Sequence, residues 1–77
     1  MKADPNDHQA RYDLALAQAA EGDLKGAATS LLDIVSADRD WNDQAARKHL
    51  LVVFEAAGLS SDIAKDGRRR LSSILFS

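Results

Sequence analysis

Arg68, Arg69 and Arg70 place three guanidinium groups in succession, the densest cationic feature of this chain. A guanidinium donates in a forked geometry that matches a carboxylate, so the run is a candidate for recognising an acidic partner surface, with Arg69 as its central residue. Charge runs also serve as solvated helix faces. Near a helix C-terminus these arginines would complement the dipole, and Arg70, beside an apolar stripe, is expected to pack its stem and keep its head in water. Arg47-Lys48 is a second cationic pair, falling early in an expected helix and against the dipole preference; Lys48 is therefore a candidate for contact with a partner or with Asp43. Nothing comparable speaks for catalysis. His8 and His49 each lack a second ligand at i+3 or i+4 and are expected at the surface. No Ser–His–Asp set or glycine-rich phosphate loop can be placed, and the absence of cysteine excludes thiol chemistry and disulfides. The residue types point to binding by a non-enzyme that needs no metal and no cofactor.

The elements that position these groups are all helical. Helix one is expected over about 5–21, capped by Asp4 with Pro5 at the first helical position, where its missing N–H costs nothing. Leu14 is its expected anchor, and Ala15, Ala17, Ala19 and Ala20 permit close approach of a second helix. Gly22 ends it. Asp23 caps helix two, over 24–37, whose apolar residues Leu24, Ala27, Ala28, Leu31, Leu32, Ile34 and Val35 cover enough of the surface for neighbours on two sides. Only Gly22 and Asp23 separate the two, which makes them antiparallel neighbours. After a polar break, Asn42 is expected to cap helix three, over 43–57, with Trp41 just outside it as a hydrophobic staple against Ala46. Its stripe is Ala46, Leu50, Val53, Phe54 and Ala57, with Leu51 and Val52 extending the apolar surface. Gly58 ends it. Ser60 or Ser61 caps helix four, over 62–75, with the stripe Ile63, Ala64, Gly67, Leu71, Ile74 and Leu75. Gly67 costs up to about 1 kcal/mol of helix propensity, which is explained by a backbone passing close by or by a bend. Phe76 either covers the core or marks where a longer parent chain stops. The expected fold is all-α: two antiparallel helix pairs in a short right-handed solenoid.

The helix, Gly22-Asp23, helix unit over 10–38 resembles a tetratricopeptide repeat. Leu14-Ala15, Gly22-Asp23-Leu24, Ala27, Leu31 and Ile34 stand at the spacing of that repeat, with Ala27 at the small position where its helices cross. Arg11 and Gln18 stand where the repeat has aromatics, and Arg39 where it has proline. Over nearly the whole chain, the block Trp41-Asn42-Asp43-Gln44-Ala45-Ala46-Arg47-Lys48 and the ending Arg68-Arg69-Arg70-Leu71-Ser72-Ser73-Ile74-Leu75-Phe76 are similar to the C-terminal repeat-like region of thioredoxin-like co-chaperones of the chaperedoxin type. The resemblance implies a single helical domain over 1–77, a C-terminal fragment of a longer protein with a thioredoxin fold ahead of it. It further implies a role in binding unfolded clients or a folding chaperone and, through the absent redox half, in cell redox homeostasis.

A pair of this kind cannot bury its own apolar face and stacks to make protein-binding surfaces. The glycine register puts Gln9, Tyr12, Leu16 and Ala19, with Ala45, Lys48, Val52 and Glu55, on the concave face. Tyr12, Leu16 and Val52 then line a groove for an extended or helical peptide, or else pack together because a domain of 77 residues needs all its apolar area. Trp41 is the sole tryptophan and the remaining interface candidate. Residues 1–40 carry four basic side chains against eight acidic ones, and 41–77 carry six against four, which argues against nucleic acid as a partner. No apolar run has membrane-spanning length, and Met1-Lys2-Ala3-Asp4 does not open a secretory signal, so a cytoplasmic setting is expected and no membrane association. The competing reading is an oligomerisation or regulatory segment of another multidomain protein, in which the apolar edge of the terminal helices meets a second copy as a homodimer.

Overall fold

The computed structural model describes residues 7–76, and within them the chain forms four helices and no strand. α1 (His8–Ala20) starts where the Asp7 carboxylate accepts the Ala10 amide at 3.0 Å. The expected cap at Asp4 and Pro5 lies outside the described residues. α1 ends at Gly22, whose φ of +87° is a left-handed conformation open to glycine at no steric cost. The Gly22 amide donates to the Ala19 carbonyl and the Asp23 amide to that of Gln18, the paired bonds of a Schellman motif. Asp23 then caps α2 (Leu24–Ala37), its carboxylate accepting the Gly26 amide at 3.0 Å. One residue thus finishes one helix and starts the next, which folds α2 back along α1.

The second pair repeats the plan. α3 (Trp41–Ala57) stops at Gly58, and Ser61 caps α4 (Asp62–Leu75) by accepting the Ala64 amide at 3.2 Å while its hydroxyl donates to the Gly58 carbonyl. The start of α3 differs from expectation. Asn42, Asp43 and Gln44 form a left-handed turn, with φ of 49°, 56° and 64°, so Asn42 is no N-cap and the right-handed helix follows Gln44. Asparagine and aspartate tolerate that region because their short polar side chains crowd the backbone least; glutamine does not share the advantage.

α2 is the centre of the core. It touches each of the other helices, whereas α1 and α4 do not approach one another. It buries Ala27, Ala28, Leu31, Leu32, Ile34 and Val35; α3 adds Ala46, Leu50, Val53 and Phe54; α4 adds Ala64 and Leu71. From α1 only Ala15 is fully enclosed, and Leu14, the expected anchor, is 53% exposed. The helix pair meets over small residues, Ala15 and Ala27 both being fully buried, and this tight crossing turns the neighbouring Leu14 outward. Gln18, in the place of an aromatic, accepts the hydroxyl of nearly buried Ser30 at 2.8 Å and ties α1 to α2 by a hydrogen bond instead. Leu51 lies on the exposed side of α3, and Phe76, 84% exposed, does not cover the core.

Two long-range features complete the packing. The Arg39 guanidinium donates to the Leu75 carbonyl at 3.2 Å, so the turn between α2 and α3 supplies the cation at the C-terminal end of α4. Arg68, Arg69 and Arg70 do not fill that role: α4 runs on to Leu75 and its last turn carries no basic residue. Gly67 faces neither a backbone nor a bend but the buried ring of Phe54, which a Cβ would overlap. Gly67→Ala is expected to destabilise the protein by about 1–3 kcal/mol in urea unfolding, overpacking outweighing the gain in helix propensity. Gln44→Gly is expected to raise stability by about 0.5–1 kcal/mol in the same measurement, by relieving a left-handed non-glycine residue.

Candidate functional site

The short loops determine which faces the helices present. α1 and α3 each run antiparallel to α2 and so share a direction. They meet through rings. Trp41 packs on Tyr12 with centroids 5.4 Å apart, and His8 and His49 flank the pair, His8 edge-on to Trp41 at 6.1 Å and His49 edge-on to Tyr12 at 5.8 Å. All four are half-buried. The two histidines therefore sit in an aromatic cluster between helices, and not at the open surface as expected. His8 Nδ1 is buried with no hydrogen-bond partner among the described residues. Trp41 joins α3 to α1; a local staple on Ala46 has no capped helix start to serve, since the left-handed turn intervenes.

One turn along both helices from the Tyr12–His49 contact the register reaches Leu16, half-buried, and Val52, 54% exposed. The expected face is thus divided. Tyr12 is used in packing, Val52 is open to solvent, and Leu16 lies between these extremes. Lys48 pairs with Asp43 at 3.4 Å, both side chains largely exposed, a contact worth little against solvent screening. The face offers apolar and aromatic surface with a few polar groups at its edge (Gln9 itself is engaged, donating to Asp13 at 2.9 Å). It holds no arrangement of nucleophile and base, and among the described residues no three His, Cys, Asp or Glu side chains gather as metal ligands.

Arg69 lies elsewhere. It stands on the wall of a trough between α2 and α4, about 540 Å³ in its widest part, with Ala28, Leu32, Ile63 and Gly67 at its base and Lys25, Asp62, Asp66 and Arg70 around the rim. The trough continues past Ser36 and Ser73 to Arg39. Arg70 lies exposed along its side. The sequence analysis followed only the apolar face of α2 and did not single out its polar residues Lys25, Thr29, Asp33 and Ser36. Their i, i+4, i+8, i+11 spacing facing Asp62, Asp66 and Ser73 was the available signal. Among the described residues no helix is long and apolar enough to cross a membrane.

A family model described as tetratricopeptide repeat matches residues 1–76. No curated protein and no solved structure matches the chain. Trp41→Ala is expected to lower stability by about 1–3 kcal/mol in chemical unfolding, because it removes the ring that joins α3 to α1, and Trp41→Phe is expected to keep most of that stability.

Proposed function

We propose, for a chain that belongs to the tetratricopeptide repeat family, that its α1/α3 face holds apolar stretches of other polypeptides. Repeats of that family are non-catalytic modules of protein–protein interaction. The observation that carries the reading is Val52. A valine 54% exposed, one turn from the Tyr12–His49 contact and at the register of Leu16, gives the face a strip of apolar surface left open to a partner. Lys48 stands on the same face and is held only by an exposed ion pair, so it can exchange Asp43 for an acidic group of the bound chain.

The finer reading is that the module serves a cytoplasmic thioredoxin-like co-chaperone, keeping unfolded clients or passing them to a folding chaperone. Its support is the resemblance carried by the Trp41–Lys48 block and the Arg68–Phe76 ending. In this reading the 77 residues follow a thioredoxin fold in the parent chain, and redox chemistry belongs to that part. A thioredoxin-like pattern encoded immediately upstream of Met1 supports the co-chaperone assignment, and an unrelated domain there removes it while leaving an interaction module.

Binding of a fluorescently labelled, permanently unfolded polypeptide, followed by anisotropy, tests the face. Leu16→Asp and Val52→Asp are each expected to weaken binding by about tenfold or more, corresponding to about 1.4 kcal/mol, with the helical circular dichroism unchanged. Unaltered affinity in both variants with the fold intact would reject the α1/α3 face.

A further inference from the structure

The exposed side of α4 carries a pattern that neither the core nor the α1/α3 face uses. Leu59, in the turn leading into α4, is followed at intervals of three and four by Asp62, Asp66, Arg69, Ser73 and Phe76. All six are exposed, and Leu59 and Phe76 are among the large apolar side chains that the fold leaves in solvent, at 56% and 84%. Among the described residues the side chains of Asp62, Asp66 and Arg69 make no ion pair or hydrogen bond. Within α4 the 4-3-4 spacing of Asp62, Asp66, Arg69 and Ser73 is that of a seam along which one helix packs on another, and these four span about 17 Å at 1.5 Å per residue.

Read in reverse, the series keeps its spacing. Its centre falls between Gly67 and Arg68. Two copies of α4 laid antiparallel about that point set Asp62 against Ser73 and Asp66 against Arg69, each pairing occurring twice, with Leu59 of the preceding turn and Phe76 beyond the two ends. A two-fold interface requires this self-complementarity, in which residue i meets j and j meets i. The helix supplies it with opposite charges at the middle, and the exposed apolar residues Leu59 and Phe76 flank its two ends. Lys65 and Arg70 lie on opposite flanks of the seam, so neither opposes the central pairs. Asp62, Asp66 and Arg69 also wall the trough between α2 and α4, so the seam borders that trough.

We propose that the α4 face is a self-association surface, occupied by α4 of a second copy of this chain in antiparallel register, with Asp66 of each copy paired to Arg69 of the other. The interface is small and charged at its centre, which places it among weak, salt-sensitive associations. It leaves the α1/α3 face uncovered, so the dimer and a client can be held at once.

Sedimentation equilibrium of the 77-residue chain, from micromolar to millimolar concentration, tests this. A monomer–dimer equilibrium that weakens with added salt is expected. Asp66→Arg alone and Arg69→Asp alone each bring like charges together across the two-fold axis and are expected to weaken association about tenfold or more, with unchanged circular dichroism. Mixing these two variants restores opposite charges at both central pairs, and a dimer is expected to re-form between them. A monomer throughout the range overturns the proposal and leaves the trough to a different partner. A dimer indifferent to both substitutions, or a mixture that fails to associate, overturns it as well by removing this register.

Discussion

A helix packed against three neighbours has only a narrow strip left for polar side chains, and α2 is such a helix. Ala27, Ala28, Leu31, Leu32, Ile34 and Val35 are enclosed, and Lys25, Thr29, Asp33 and Ser36 are confined to the one side that no helix covers. Every other helix takes its place from that arrangement. α1 needs to present only small residues because α2 brings the bulk, and α3 and α4 fill the remaining flanks with Phe54, Leu50 and Leu71. The uncovered strip becomes one wall of the trough. The geometry of the surface is thus the complement of the geometry of the core.

This dependence explains what could be read from the sequence and what could not. Gly22-Asp23 and Ser61 act through local backbone chemistry, visible in any window that contains them, and the end of α1, the start of α2 and the start of α4 follow directly. Leu14 fails for a tertiary reason. Hydrophobicity marks it as an anchor, but the side of α1 turned to the core presents the small, fully buried Ala15, and Leu14 beside it points away from the core. Arg39 fails for a similar reason: its partner, the Leu75 carbonyl, is 36 residues away, and no local signal reports such a bond. Gly67 announced that something comes close, without saying that it was the Phe54 ring.

The candidate surface was legible in the same partial way. The glycine register brought α1 and α3 together, and the Tyr12–His49 contact agrees with that pairing. What spacing alone could not supply was the destination of Trp41. It lies beyond a left-handed turn whose residues, Asn42 and Asp43, are suited to that backbone. The block around Trp41 that looked like a signature has a structural use here. It reverses the chain so that one aromatic ring of the second pair docks on the first, and the histidines gather around that dock.

α1 is held differently from the rest. It contributes one fully enclosed side chain, it makes no approach to α4, and its remaining attachments are half-buried rings and the Gln18–Ser30 hydrogen bond. The flank of α2 that α1 covers is thus shaped by Ala27 and its neighbours to accept a helix that presents small residues, and the fit at this interface rests on shape more than on bulk.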